Sequence, residues 1–182
     1  NKKYGWCYET EPEINLNNRS INWPRGKTLG GSSSINGMLY IRGQAEDYEN
    51  WESLGNPEWG YRDLIKYFIN LENNQNYQDQ FHGNFGPLWV ETYEKNLDAS
   101  LAFLEACKEN NFKLNKDFNG TDQEGYGRYQ VNIKNGKRFS SADAFLKPIL
   151  DRPNLDLLTS TRVEKIIFSG KKAIGVKIKN AK

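Results

Sequence analysis

The spacing of apolar residues predicts helices in the first two thirds of the chain. Apolar positions recur at three- and four-residue intervals over 61–73 and 97–110, which places them on one face of a helix in each segment. A shorter helix is predicted over 46–54. Asn96 stands where a side-chain cap of the third helix is expected.

Strands are predicted where apolar and polar residues alternate. Residues 129–133 alternate in this way, and the Asn135-Gly136 pair that follows is typical of a tight turn between strands. The same alternation over 173–178 predicts a strand with one buried face and one face in water. Further strands are predicted over 88–92, 155–158 and 163–168, with a hairpin loop over 169–172.

Helices and strands together predict a mixed α/β fold. Residues 1–23 are predicted to be irregular, and 74–86, which are rich in Asn, Gln and Gly, to form an exposed loop. A last helix is predicted from a Ser141 cap to about residue 150, and Pro148 is expected to kink or shorten it.

Residues 24–43 are the strongest candidate for chemistry. Gly30-Gly31 allows the backbone to approach a ligand closely, and the serines at 32–34 follow directly. A helix that begins in the serine run would present free amides and the positive end of its dipole to a phosphate. Positive charge nearby comes from Arg25 and Lys27. The segment 35–41 is mostly apolar and would bury the helix.

This stretch resembles the first sequence signature of the glucose–methanol–choline (GMC) oxidoreductases, which are FAD-dependent enzymes. The matching positions are Gly26, Lys27, Leu29, Gly30, Gly31, Ser32, Ser33, Ile35, Asn36, Tyr40, Gly43 and Glu49. The likeness covers nearly the whole chain and is greatest to bacterial choline dehydrogenases and related alcohol dehydrogenases of the family. It continues in Asp47–Trp51, His82-Gly83, Glu124–Gly127, Arg138–Ala142 and Arg152–Leu155.

The resemblance implies FAD as the cofactor and assigns the residues near it. Those expected at the pyrophosphate are Leu29, Gly30, Gly31 and Ser32, and those expected at the ribityl chain and isoalloxazine edge are Asn36, Gly37, Met38 and Leu39. The backbone of Val163 is expected to meet the adenine. Some family members attach the flavin through a histidine just before the asparagine; Ile35 stands there, so FAD is expected to be non-covalent at this place.

The resemblance implies no catalytic residue within this chain. The family's base is a histidine near its C-terminus, beyond this segment. The chain's one histidine, His82, lies in the turn-rich stretch 82–87, where the family has a similar sequence with a structural role. We therefore expect His82 to be structural.

Charge and composition exclude several other classes. With 25 Lys and Arg against 23 Asp and Glu, the net charge of +2 gives no reason to expect a nucleic-acid partner. One histidine and two distant cysteines predict no metal site, and Cys7 and Cys107 are either free thiols or a disulfide. No apolar run approaches the roughly 20 residues that span a bilayer.

The resemblance also implies that the 182 residues are a piece of a longer protein. Residues 1–92 would belong to a Rossmann-like FAD-binding domain, with its flavin loop over 24–43. Residues 93–138 would enter a substrate domain, and 139–182 would return to the FAD-binding domain as a helix and strands. The first dinucleotide fingerprint and the catalytic C-terminus of the family are not in this sequence.

The implied reaction is the oxidation of a primary alcohol, choline or a similar molecule, to the aldehyde by hydride transfer to flavin N5. This segment would supply the cofactor cradle and would not turn over substrate alone. Two alternatives stay open: a GMC-type lyase that keeps FAD without redox turnover, and a non-enzymatic nucleotide-binding module if the chain is complete. The likeness to bacterial enzymes implies the cytoplasm or the periphery of the inner membrane; the electron acceptor and oligomeric state are not implied.

Overall fold

The computed structural model describes residues 2–95 and 97–180. The chain divides into two compact units, Asn1–Lys147 and Pro148–Lys182. Helices and strands both occur, so the predicted mixed α/β fold is confirmed. No helix among the described residues is long and apolar enough to cross a membrane.

Three helices of the first unit lie within two residues of their predicted bounds. They are α1 (Ala45–Ser53), α2 (Tyr61–Leu71) and α3 (Asp98–Glu109). Leu97 occupies the N-cap position of α3 without a side-chain bond. The predicted cap residue, Asn96, lies outside the described residues.

The strands of the first unit are short. They are β1 (Tyr8–Glu9), β2 (Asn22–Trp23), β3 (Leu39–Tyr40), β4 (Glu72–Asn74), β5 (Leu88–Thr92), β6 (Gln130–Val131), β7 (Ile133–Lys134) and β8 (Lys137–Arg138). The predicted strand over 88–92 is β5. The segment 1–23, predicted to be irregular, instead contributes β1, which pairs with β2 in an antiparallel ladder.

Four of these strands form the central sheet, in the order β3-β6-β5-β4. The β4–β5 pair is parallel and the other two pairs are antiparallel. The strand predicted over 129–133 is split at Asn132 into β6 and β7, and the Asn132 amide donates to Met38 O at 2.8 Å in continuation of the β3–β6 register. The register places Leu39 opposite Val131, so the end of the stretch 24–43 becomes an edge strand of this sheet.

The predicted turn at Asn135-Gly136 is confirmed as the β7–β8 hairpin. Both residues have positive φ, 53° and 71°, which is the backbone that a two-residue hairpin of this hand requires. The turn brings Arg138 opposite Ile133.

The predicted helix after Ser141 forms differently. A π-helical turn over Ala142–Leu146 is followed by a 3-10 turn over Lys147–Ile149, which contains Pro148. Ser141 makes no side-chain cap bond, because its hydroxyl is engaged with the chain at residues 30 and 33 instead. Ser141 therefore stands at the predicted N-cap position but does not cap the helix through its side chain.

The second unit is built around one antiparallel hairpin, β9 (Thr161–Ser169) and β10 (Lys172–Asn180), with Gly170 at positive φ in its turn. The two predicted strands and their loop are confirmed, whereas 155–158 form no strand. The expected buried face of β10 is wrong: Ile174, Val176 and Ile178 are 60%, 49% and 43% exposed. Among the described residues of this unit, no α-helix and no further strand covers the ladder.

Buried positions of the described chain are more often polar than apolar. The buried apolar residues are Val90, Phe118, Val131, Ala142 and Ala144. The buried polar residues are Arg42, Glu72, Asn74, His82, Asn115, Asn119, Gln130 and Ser140. A polar core of this kind requires that its groups be paired with one another.

Candidate functional site

The glycine–serine stretch forms a single tight turn. Residues Gly31–Ser34 are a 3-10 helix entered from Gly30 at a φ of 83°. The amides of Gly31, Ser33, Ile35 and Asn36 are used by this turn, donating to the carbonyls of Thr28, Gly30, Ser32 and Ser32.

The helix stops after one turn for a local reason. The side-chain oxygen of Asn36 accepts the amide of Met38 at 3.1 Å, and Met38 has a φ of 64°, which no right-handed helix contains. The expected buried apolar helix is therefore wrong. Ile35, Leu39 and Ile41 are instead 38%, 54% and 47% exposed.

The glycines of the turn serve two different purposes. A Cβ on Gly26 would lie 2.1 Å from the carbonyl oxygen of Gly31, and one on Gly30 would lie 2.5 Å from Ser34 Oγ. These two positions need glycine for close packing within the protein. A Cβ on Gly31 or Gly37 would meet nothing within 4 Å, so both face open space. The open side of the loop fits a ligand that needs close backbone approach.

Ser141 holds the turn from its closed side. Its hydroxyl lies 2.9 Å from Ser33 Oγ and 3.2 Å from the Gly30 carbonyl oxygen, and its amide donates to Ser33 Oγ at 2.9 Å. Ser33 Oγ also donates to Gly30 O at 2.6 Å. Segments more than a hundred residues apart in sequence are thereby joined at the predicted cofactor loop.

Arg138 forms the second part of this attachment. Its Nη1 donates to Ser33 O at 3.0 Å and to Asn36 Oδ1 at 2.8 Å, and its Nη2 donates to Asn36 O at 2.8 Å. Sequence reasoning did not assign Arg138 or Ser141 to the site, although the resemblance included the stretch 138–142. We call these two residues the loop clamp.

Asp143 fixes the segment that carries the loop clamp. Its Oδ2 accepts from the amide and hydroxyl of Ser140 at 2.8 and 2.6 Å, and its Oδ1 pairs with Lys147. The hydrogen bond from Lys147, and then that from Ser140, lower the pKa of Asp143 to about 2. The carboxylate is thus ionised at neutral pH and keeps both bonds.

The predicted approach cations pack on aromatic rings. Arg25 lies over the indole of Trp23 at 5.4 Å, and Lys27 Nζ lies over that of Trp6 at 4.9 Å. Lys27 follows Gly26, which packs against Gly31 of the turn, so these contacts keep positive charge next to the turn.

A second polar assembly lies in the interior of the first unit, and we call it the ion cluster: Arg42, Glu72, His82 and Asp117. Glu72 is 0% exposed and His82 2%. The expectation that 74–86 form an exposed loop is therefore wrong at Asn74 and His82, both of which are buried. The Asn- and Gly-rich composition gave no sign that the loop turns inward.

Each carboxylate oxygen of the ion cluster has a hydrogen-bond or ion-pair partner. Glu72 Oε2 pairs with Arg42 Nη2, and Glu72 Oε1 lies 2.9 Å from His82 Nδ1. Asp117 Oδ2 lies 2.8 Å from His82 Nε2, and its Oδ1 accepts from Gln130 Nε2 at 3.0 Å. Arg42 Nη1 also donates to the Phe81 carbonyl at 2.7 Å, whereas its Nε has no partner.

Burial opposes charge at both His82 and Asp117, but hydrogen bonds outweigh it. Bonds to Asp117 and Glu72 raise the pKa of His82 to about 9. Bonds from His82 and from the amide of Asn119 hold the pKa of Asp117 below its usual value. Both groups are therefore stabilised in their charged forms. The expected structural setting of His82 agrees with this burial.

Eight of the nine predicted cofactor residues lie in one sequence stretch, 29–39, of the first unit. Val163 lies on β9 of the second unit and is 53% exposed. Cys7 and Cys107 are both free, which settles the alternative left open by the sequence. Within residues 2–95 and 97–180 no group of three or more His, Cys, Asp or Glu side chains is placed to hold a metal ion.

Known proteins resemble this chain in sequence and fold. Residues 8–182 match the model of the GMC oxidoreductase family. An alcohol dehydrogenase [acceptor] from Pseudomonas putida is 48% identical over 96% of this chain, and an oxygen-dependent choline dehydrogenase from Brucella anthropi is 45% identical over the same share. The chain spans 32% of the length of each relative.

A solved structure confirms the fold. The crystal structure of pyridoxine 4-oxidase from Mesorbium loti superimposes with a TM-score of 0.91 at 30% identity, over 97% of this chain and 35% of that one. The predicted family is confirmed, and with it FAD as the cofactor; the mode of attachment stays a prediction. The family model covers residues 8–182, and the chain therefore belongs to the GMC oxidoreductases.

Proposed function

We propose that this chain is the flavin-loop segment of an FAD-dependent GMC enzyme that oxidises a primary alcohol to an aldehyde. One observation carries the proposal: the turn at 30–34 is fixed from its closed side by the loop clamp while Gly31 and Gly37 face open space. A rigid turn with one open backbone side suits a flat, anionic cofactor.

Each part of the turn has a proposed contact. The amides of Gly30 and Ser32, which are not among those that the turn uses, would donate to the pyrophosphate, with Leu29 and Gly31 beside them. Asn36, Gly37, Met38 and Leu39 would line the ribityl chain and isoalloxazine edge. Val163 on β9 would meet the adenine through its backbone. Ile35 offers no atom for a covalent link, so we propose non-covalent binding there.

Bound FAD supplies the acceptor for the hydride that leaves the alcohol carbon. The residues of this chain hold and orient it: Arg138 and Ser141 fix the turn, and strand β3 fixes the stretch 36–40 through its pairing with β6. No group in this chain is proposed to move a proton. Because the chain spans about a third of its relatives, we place the catalytic base in the remainder of a longer protein.

The substrate class and domain division are part of the same proposal. Relatives named for an alcohol and for choline support a primary alcohol, with choline as the first candidate. We propose that 1–92 and 139–182 belong to the FAD-binding domain and 93–138 to the substrate domain. A bacterial cytoplasmic or peripheral inner-membrane location remains a prediction from resemblance.

Flavin bleaching by substrate tests the reaction. The full-length protein is purified with its flavin and mixed anaerobically with choline or another primary alcohol, and absorbance near the flavin maximum is followed. Loss of the oxidised flavin band with formation of the aldehyde supports the proposal. A flavin that stays oxidised with every alcohol tried overturns it, and carbon–carbon cleavage of a cyanohydrin by that same protein would establish the lyase alternative.

Gly31→Ala tests the cofactor contact, with Gly170→Ala as the matched control. Both glycines have similar positive φ, 54° and 58°, and a Cβ at either meets nothing within 4 Å. The backbone strain added is therefore the same, and only Gly31 is proposed to touch FAD. We expect at least tenfold weaker FAD binding in Gly31→Ala alone, by flavin fluorescence titration of the apoprotein. Equal effects in the two variants contradict the contact.

A further inference from the structure

The ion cluster is not used by the proposed cofactor contacts, yet it is the most completely buried polar assembly of the described chain. His82 connects two of its segments, since its Nδ1 faces Glu72 on β4 and its Nε2 faces Asp117 in the loop before β6. Both ring nitrogens lie within 2.9 Å of a carboxylate oxygen. This arrangement determines which of the two ring nitrogens must carry a proton.

A neutral imidazole carries one N–H and one lone pair. In this setting the lone pair would face a carboxylate oxygen, and the contact would be repulsive unless that carboxyl carried a proton. The other contacts favour ionised carboxylates: Glu72 accepts from Arg42 and Asn74, and Asp117 Oδ1 accepts from Gln130 and the Asn119 amide. Asn74 Nδ2 also lies 3.1 Å from His82 Nδ1, but its two hydrogens are taken by Glu72 Oε1 and Gln130 Oε1. Both nitrogens of His82 therefore donate.

The charge balance leads to the same conclusion. Arg42 and a protonated His82 carry two positive charges, and Glu72 and Asp117 carry two negative ones. With a neutral His82 the cluster would retain one unbalanced negative charge in the interior, which is costly. The ring itself is contacted by Glu72, Asp117 and Tyr77. The other titratable or charged groups on the surrounding elements are Arg42, which pairs with Glu72, Tyr40, which lies near Arg42 and Glu72, and Asp79, which accepts from the His82 backbone amide.

The cluster is joined directly to strand β3. Asn119 makes the connection: its backbone amide donates to Asp117 Oδ1. Its side chain accepts from Arg42 N at 2.8 Å and donates to Tyr40 O at 3.1 Å. Tyr40 follows Leu39 in β3, the last residue of the proposed flavin-facing stretch. An intact bond between His82 and Asp117 thus keeps Asn119 on the β3 backbone.

We propose that His82 is a positioning residue that carries protons on both ring nitrogens and, as an imidazolium between Glu72 and Asp117, holds strand β3 at the cofactor site. The effect on the flavin depends on the proposed function, whereas the protonation state does not. Loss of a ring proton in alkaline solution would break one carboxylate bond and release Asn119 from β3.

Nitrogen NMR of the full-length protein labelled with 15N-histidine tests the protonation state. The His82 signals are assigned by their disappearance in His82→Gln, or by their displacement in Asp117→Asn if the first variant does not fold. We expect both ring nitrogens to be protonated at pH 7.5, and a titration midpoint near 9. One unprotonated nitrogen at pH 7.5, or a midpoint at or below the ordinary value of about 6.5, overturns the proposal.

Two carboxylate variants test the connection to β3. Asp117→Asn removes the charge that the ring contacts, whereas Asp79→Asn removes a nearby charge that contacts only backbone amides. We expect the His82 midpoint to fall by at least one pH unit, and FAD to dissociate at least tenfold faster, in Asp117→Asn alone. If the His82 midpoint falls as expected in Asp117→Asn but FAD dissociates at an unchanged rate, the positioning role is overturned. If the unsubstituted protein binds no FAD although the variant shows the midpoint shift, the proposed function is contradicted instead.

Discussion

The glycine–serine turn over 30–34 and the ion cluster lie in the same unit but are fixed by different kinds of interaction. The turn is held by hydroxyls and backbone carbonyls, with one guanidinium, and keeps its other side open. The ion cluster is held by four charged side chains, and the side chains of Arg42, Glu72 and His82 are at most 3% exposed. A surface proposed to bind a ligand must remain accessible, so its stability is supplied from the opposite side. A buried cluster can use charge because each of its carboxylate oxygens and both His82 ring nitrogens have a partner.

That difference predicts different consequences of mutation. Removing one hydroxyl or guanidinium bond at the turn leaves groups that water can reach, so the cost is modest. Removing one charge from the cluster leaves an uncompensated ion in the interior, so the cost is large. Stability and cofactor affinity should therefore respond separately to changes in the two regions.

Glu72→Gln should be the most damaging of these changes. The substitution keeps the shape of the side chain but removes the charge that Arg42 and His82 share, so we expect the free energy of unfolding to fall by about 3–5 kcal/mol. Urea unfolding followed by circular dichroism measures the loss. Glu105→Gln is the control, because Glu105 pairs with Lys108 on an exposed helix face and its loss should leave the midpoint unchanged. Equal midpoints for the two variants would contradict the assigned importance of burial.

Alkaline pH should weaken the ion cluster without mutation. The pKa of His82 is raised from its usual 6.5 to about 9, so its contribution to stability is complete below about 6.5 and is lost as the pH rises through about 9. The shift corresponds to about 3 kcal/mol in the free energy of unfolding. Unfolding by urea at several pH values between 6 and 10 measures it. His82→Gln should remove this part of the slope, and a wild-type slope that persists in the variant would show that other groups cause it.

Arg138→Lys should have the smallest effect on stability but a selective one on the cofactor. Lysine cannot reproduce the paired contacts of the guanidinium with Ser33 and Asn36, so we expect about 1 kcal/mol lower stability and about tenfold weaker FAD binding. Arg62→Lys, on the exposed side of α2, is the control. Fluorescence titration with FAD compares the two. A loss of stability without a change in affinity would assign Arg138 to folding alone.

The sequence was most informative where local rules decide the structure. The bounds of α1 and α2, the Asn135-Gly136 hairpin and strand β5 follow from spacing and turn chemistry, which act within a few neighbouring residues. The one-turn length of the glycine–serine helix was also encoded locally, in the Asn36 side chain and the backbone of Met38, but the apolar residues after it pointed to a longer buried helix. The family resemblance, not the spacing, identified FAD.

Contacts between distant segments decided the rest. Arg138 and Ser141 contact the glycine–serine turn across more than a hundred residues of sequence, and His82 contacts Asp117 across 35. A sequence shows that such side chains are able to form hydrogen bonds, but only the fold selects their partners. The amino-acid sequence by itself determined the family and, through that resemblance, the cofactor, and it predicted the stretch 29–39 as the part that faces FAD, because a family signature is carried by residue types that need no tertiary contact to be recognised. The tertiary structure decided what holds that stretch, and it buried a charged histidine by bringing two carboxylates to its ring.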